Sequence, residues 1–398
     1  MPVTMRDCAA YDPLDAETVR DPYPIYAELR AMGRLLWHER LDSWLVPHYH
    51  DCVSAFRAPQ LYASDPRRVG VALPDSAVSI QTSDPPEHTA VRELLAEGFR
   101  ARGMACVDHS AGAAADQLVS RLARDGRGDL MLDFAIPLAS RTICDFLGVP
   151  APDPEALRPI SDAIIAGMDA GLDPARAEPA KRARAELSAL VASWFPAARH
   201  DGLLGLVEQR RGDVPAGVLH NSLRVVFHAG FTSVYSALGN AIHTILRERL
   251  PWQPFADSAT AASAVEELLR FDGPVQVNSR VAVDDASFAD GRVKRGDNLL
   301  LLLGSANRDA HAFERADAIV LDRTPNKHLA LGWGIHQCLG GAFARRVLRV
   351  ALARLAASFS ELSLDGEIEH KPQATQRCLH RLPVSCTGTR HAYQATPA

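Results

Sequence analysis

The stretch from Val218 to Leu250 runs about 33 residues without a proline and stops at Pro251. As a single helix it would span roughly 50 Å at about 1.5 Å per residue, so it crosses a domain rather than coating one. Any fold for this chain has to be built around that rod. Apolar residues at three- and four-residue spacing mark it as helical over 216–249, and mark further helices at about 22–32, 87–102, 106–124, 133–147, 154–170, 177–198, 259–270 and 340–358. The β-rich pieces are Leu35 to Trp37, Ser43 to Pro47, Val275 to Val283, Asn298 to Leu303 and Leu382 to Ser385, too few for a doubly wound sheet. The expectation is a mainly α fold in one domain over residues 1–398, with a small β-rich lobe at roughly 33–60 and 275–305.

Composition narrows the function classes. At 47% hydrophobic the chain can bury a large core, and its 43 basic and 48 acidic residues are well mixed, with a net charge of −5. No whole-chain field favours nucleic acid or an anionic membrane. Seven scattered cysteines without a CxxC pair fit neither a disulfide framework nor a zinc cage, and point to a reducing cytoplasm. The charged N-terminus lacks the apolar segment of a signal peptide, and the longest aliphatic run, Leu299 to Leu303, is too short for a membrane span.

Two features of the helical segments have both a plain and a functional reading. Ala229 and Gly230, followed by the hydroxyls of Thr232 and Ser233, interrupt an apolar helix. An interior glycine costs about 1 kcal/mol against alanine, so either a neighbouring helix packs closely there or a flat ligand lies on that face. Glu267 and Arg270, three residues apart, share one side of their helix; taken alone they read as a solvated pair contributing about 0–1 kcal/mol.

The loop at 328–345 concentrates chemistry. Gly332, Gly334, Gly340 and Gly341 surround Cys338, and the following segment has strong helical spacing. Glycine permits positive φ and close backbone approach, and a sulfur just before a helix N-terminus is favoured as thiolate. Neither a phosphate loop nor a dinucleotide turn fits, because no GK[ST] or GxGxxG is present. Zinc would need two ligands beyond His336 and Cys338. A Cys-dependent hydrolase and a thiolate ligand to haem iron both remain.

Several stretches together resemble the cytochrome P-450 superfamily, in its soluble bacterial type. Leu331-Gly332-Trp333-Gly334-Ile335-His336-Gln337-Cys338-Leu339-Gly340 is similar to the haem-binding signature FGxGxHxCxG, differing at the leading aromatic. The resemblance implies a P-450 fold with haem b between the long central helix and the cysteine loop, Cys338 as axial thiolate on the iron, and His336 at a haem propionate. Glu267 and Arg270 resemble the family's ExxR pair, and Arg323 the arginine completing a buried triad. His88 and Arg92 resemble its HxxxR propionate pair, Arg280 a third propionate partner, and Ala229 with Gly230 the helix face beside the haem. The ANRD stretch is present at Ala306 to Asp309.

The family's AGx(D/E)T pattern departs here to Ala229-Gly230-Phe231-Thr232-Ser233. Its acid is missing. Ser233 supplies a hydroxyl at the threonine position, and Thr232 cannot donate as a carboxylic acid does. Proton delivery then falls to Thr232, Ser233 and water, to His228, or to the substrate. The resemblance implies a cytoplasmic, monomeric monooxygenase that hydroxylates, epoxidises or couples a largely apolar small-molecule or carrier-bound substrate in secondary-metabolite tailoring. Its electrons would come from a ferredoxin and ferredoxin reductase, docking near Arg100, Arg102, Arg345, Arg346 and Arg349. Peroxide-driven turnover is the alternative.

Overall fold

A computed structural model describes Cys8 and residues 11–389. The first seven residues of the charged N-terminal stretch lie outside the described residues. The helices that position the site are α1 (Tyr23–Met32), α2 (Tyr49–Arg57), α3 (Glu87–Arg102), α4 (Ala105–Asp125), α5 (Ile136–Leu147), α6 (Pro154–Ala166), α7 (Ala177–Trp194), α8 (Ala216–Arg247), α9 (Ala261–Asp272) and α10 (Gly341–Ser358). None among the described residues is long and apolar enough to cross a membrane.

The rod is α8, 32 residues long. Its second half, from Val234 to Ile245, is buried at every position, because α5, α9 and α10 pack around it. Helices apolar all round have to be buried in this way. One continuous core joins residues of α3, α4, α5, α7, α8, α9 and α10, including Leu95, Phe146, Leu238 and Leu348.

The expected β lobe is a five-stranded sheet. Besides two short two-stranded hairpin or ribbon pairs, the strands along the chain are β1 (Leu36–His38), β2 (Ser43–Val46), β3 (Tyr62–Ala63), β4 (Arg127–Asp129), β5 (Val277–Ala282), β6 (Asn298–Leu302), β7 (Phe359–Leu364) and β8 (Pro383–Thr389). The lobe's order is β1-β2-β6-β5-β3, with only β2 and β6 parallel. Two smaller apolar clusters centre on it.

The structure adds three details to the expectation. Residues 49–57 inside the lobe form α2, since Tyr49, Cys52, Val53 and Phe56 bury one helical face. The expected C-terminal strand is present as β8 and pairs with β7 and β4 in a sheet separate from the lobe. The segment 131–135 before α5 is a π-helical turn with Asp129 accepting from the Met131 amide.

Truncating the rod tests how much rests on it. Leu238→Ala, at a fully buried position, should lower unfolding free energy by about 2–5 kcal/mol, read as a lower urea midpoint at unchanged slope.

Candidate active site

Gly332 and Gly334 adopt φ of 67° and 75°, where L side chains are strained. A Cβ on Gly334 would also sit 2.6 Å from the Phe56 carbonyl oxygen at the end of α2. Gly340 has ordinary φ of −81° as the cap of α10, and its missing side chain leaves open space, with no atom within 4 Å. Two glycines therefore shape the turn and one leaves room beside the sulfur. The Cys338 amide donates to the Leu331 carbonyl at 2.8 Å and closes the loop.

Cys338 is solvent-accessible. Burial is nevertheless the largest influence on its thiol, pushing it above the ordinary value against the Gly340 amide, Arg345 and Arg92. A group both accessible and crowded faces an enclosed space rather than bulk water. The expected preference for thiolate thus does not come from the helix start alone; a coordinating metal would supply it, since a metal-bound thiol is deprotonated outright.

Two consecutive acids brace this loop. The Glu267 carboxylate is fully buried and accepts from Arg270 Nε at 2.9 Å and Nη2 at 2.8 Å, Arg323 Nε at 3.0 Å, Asn326 Nδ2 at 3.0 Å and the Val320 amide at 2.8 Å. Arg270 places its remaining donors on the Asn307, Ala316 and Ala318 carbonyls. The solvated-pair reading is corrected, with all five guanidinium donors used. Glu266 points the other way, to Arg345 on α10 at 2.6 and 2.7 Å and to His328 at 3.1 Å. Burial alone would raise its carboxyl, but these bonds prevail and hold it at about 2.

A second cluster holds basic side chains whose donors or charges lack a matching anion, one of them, Arg92, acting on Cys338. His88 and Arg92 lie one turn apart on α3. The His88 ring is buried with Nε2 lacking a partner, and its centroid is 4.1 Å from that of His336. Burial, then His336 and Arg92, pull its pKa down to about 4. Arg280, on β5 and 7% exposed, donates only to neutral Asn278 and the Ser279 carbonyl and stacks over Phe56. Burial lowers its pKa to about 10. Among the described residues no carboxylate forms an ion pair with Arg92 or Arg280. Of the four expected propionate partners only His336 is engaged, its Nε2 3.0 Å from Asp84 Oδ1. An orphaned buried imidazole and two arginines without anions fit a dianionic ligand beside Cys338, as haem propionates require.

Midway along α8 an open stripe interrupts the buried positions: Ala229 is exposed, and Val226, Gly230 and Ser233 are partly so. Gly230 also packs on α5, where a Cβ would come 2.6 Å from Ile143 Cδ1. Close packing of a neighbouring helix therefore holds at Gly230, while Ala229 leaves an open surface. Thr232 is buried and donates to the His228 carbonyl at 2.8 Å. Ser233 donates to the Ala229 carbonyl at 2.6 Å on the open face. The two hydroxyls thus differ in setting, Thr232 being buried and Ser233 partly exposed.

Sequence reasoning missed Glu266, Asn326 and Asp84. Of the five arginines expected at a docking face, Arg102 pairs with Asp145 and Asp201, Arg345 with Glu266, and Arg346 with Asp108. That leaves Arg100 and Arg349 without an ion pair among the described residues.

The family model for cytochrome P450 matches residues 233–384. The chain is 31% identical to the cytochrome P450 monooxygenase PikC of Streptomyces venezuelae, over 96% of this chain and 95% of the relative. It is 28% identical to the polyketide biosynthesis cytochrome P450 PksS of Bacillus subtilis, over 92% of this chain and 93% of the relative. Among solved structures, CYP109E1 of Bacillus megaterium in complex with testosterone matches at a TM-score of 0.85, covering 94% of this chain and 99% of that one at 23% identity.

Replacing Glu267 with Gln leaves two arginines facing a neutral amide. Breaking a buried pair costs about 3–5 kcal/mol, and urea unfolding of Glu267→Gln should show a loss in that range. Glu266, with its carboxyl held below 4.5 in the folded chain, stabilises above that pH and loses its contribution as pH falls from about 4.5 towards 2. Glu266→Gln should flatten this part of the stability profile.

Proposed function

The chain belongs to the cytochrome P450 family and is a monooxygenase, and from that premise we propose that it oxidises a largely apolar, small to medium organic substrate in secondary-metabolite tailoring. Electrons would come from a separate ferredoxin and ferredoxin reductase to a cytoplasmic monomer. The relatives' names support the tailoring assignment, PksS being described as a polyketide biosynthesis enzyme. The single observation that carries the site assignment is the orphaned buried imidazole of His88 together with Arg92, which acts on Cys338, and Arg280, neither arginine having a carboxylate partner among the described residues.

In this reading Cys338 would be the thiolate that holds the iron of haem b, and His88, Arg92, Arg280 and His336 would hold its propionates. When bound, the haem supplies two-electron activation of dioxygen, which a thiolate ligand favours by donating electron density. The protein's own work is placement. Gly332 and Gly334 fix the sulfur's approach, Gly340 leaves the space beside it clear, and the Ala229 face bounds the opposite side. Ser233 donates its hydrogen bond to the Ala229 carbonyl, which leaves its lone pairs free to accept from a water on the open stripe. Rotating the hydroxyl off that carbonyl would let Ser233 give its own proton forward while it takes one from a water chain resupplied by solvent. No side-chain acid is needed for this route, and Thr232 backs the helix instead of serving as a relay.

The carbon-monoxide complex of the reduced protein should show the strongly red-shifted Soret band of thiolate ligation, and Cys338→Ala should abolish it. Product formed with ferredoxin, reductase, NADPH and O2 should exceed that formed with hydrogen peroxide. A reversed order would make the protein a peroxide-using enzyme.

A further inference from the structure

Three of the four glycines around Cys338 serve the turn or the open space beside the sulfur, and Gly341 does neither. It is buried in the first turn of α10 and has no positive φ. Its amide donates to the Cys338 carbonyl at 3.4 Å, so it closes the turn that carries the sulfur. The place a side chain would take is filled by Arg345: a Cβ on Gly341 would come 3.2 Å from Arg345 Nη1 and 3.4 Å from Leu331 Cδ1. Residues 341 and 345 are four apart on α10, and helical side chains lean towards the helix N-terminus. The guanidinium is thereby brought back over the cysteine turn, and the missing Cβ admits it.

The fork is held from behind. Glu266 accepts from Arg345 Nε at 2.6 Å and Nη2 at 2.7 Å, which leaves Nη1 as the nitrogen turned towards Gly341. The Arg345 side chain is 39% exposed, and without these two bonds it would be free to swing into solvent. After burial and the Gly340 amide, Arg345 is the strongest influence on the Cys338 thiol, ahead of Arg92, and the sulfur acts back on Arg345. A purely structural role accounts for the Glu266 bonds, which tie α9 to α10. It leaves Gly341 unexplained, since glycine in a helix costs about 1 kcal/mol against alanine.

We propose that Arg345, seated over Gly341 and oriented by Glu266, is a positioning residue for charge at Cys338: it fixes a cation over the turn that carries the sulfur and so raises the reduction potential of the iron that sulfur would hold. The proposal rests on the preceding reading of Cys338 as a haem ligand, and gives Arg345 a role other than partner docking. A cation near a ligating sulfur draws electron density away from the metal, which favours the reduced form; charge and hydrogen bonding around the ligand are established levers on such potentials. Arginine suits the task because its guanidinium stays charged and its planar fork matches a carboxylate, which sets its orientation.

Spectroelectrochemical titration of the haem-loaded protein tests this, with the red-shifted Soret band of the carbon-monoxide complex as the check on the loop. Arg345→Gln should lower the one-electron reduction equilibrium about tenfold, a midpoint more negative by ~59 mV, with the band retained. Arg345→Lys, which keeps the charge and loses the fork, should recover part of that shift. Gly341→Leu, which displaces the fork without removing its charge, should move the midpoint in the same direction and add nothing in the Arg345→Gln background. An unchanged midpoint in Arg345→Gln, equal shifts in the Gln and Lys variants, or loss of the band in both would overturn the proposal and leave Arg345 a structural tie. Absence of the red-shifted band in the wild type would overturn the haem reading on which it rests.

Discussion

The buried carboxylate of Glu267 is the interaction on which the cysteine loop depends. A fully desolvated anion is tolerable only when every lone pair is used, and here five donors from α9 and the 320–326 segment do so. Such a network adds little net stability over a well-packed apolar core, but it breaks at high cost, and that asymmetry makes it a device for fixing geometry. Its neighbour Glu266 extends the same logic. Glu267 holds the chain just before the loop, and Glu266 holds His328 at its start and Arg345 on the helix that follows. Two consecutive acids on one helix thereby clamp both ends of the segment that presents Cys338.

The wider lobe is fastened by the same kind of bond. Asp309 accepts from His48, the Tyr49 amide and the His311 amide, joining the ANRD stretch to α2. Arg308 donates to the Phe271 carbonyl and lies 3.4 Å over that ring, joining it to α9. Asp272 at the end of α9 takes Arg377 and Tyr23 at 2.7 Å each, which draws the C-terminal segment and α1 to the same point. α9 is thus the hub through which the β lobe and the cysteine loop are registered against α8.

How much of this was legible in the sequence depends on range. The long helices, the glycine-flanked cysteine and the small-residue patch are local signals of periodicity and composition, and each could be read at its own position. Long-range pairing has no such signal. Glu267 and Arg270 look the same at i,i+3 spacing whether buried or exposed, and only the resemblance distinguished the two. Glu266 beside them carried no mark at all, because its partners, His328 and Arg345, lie 62 and 79 residues away. The roles of Thr232 and Ser233 were paired because adjacent hydroxyls cannot be assigned to opposite faces without knowing which side of α8 the neighbours cover. β8 was read as a strand, but its partners β4 and β7 could not be inferred from a single short apolar run.

Charge accounting separates the parts of this protein that are complete from those that await a ligand. At the Glu267 hub every guanidinium donor of Arg270 is satisfied, and at Asp272 and Asp309 each buried anion has a cation or several amides. The same chain leaves the buried imidazole of His88 without a partner on Nε2, and Arg92 and Arg280 without a carboxylate among the described residues. A sequence able to satisfy buried ions so fully elsewhere does not gather cations by oversight, because each unpaired buried group lowers stability. That deficit fits a group that arrives with two carboxylates, as haem propionates would beside Cys338.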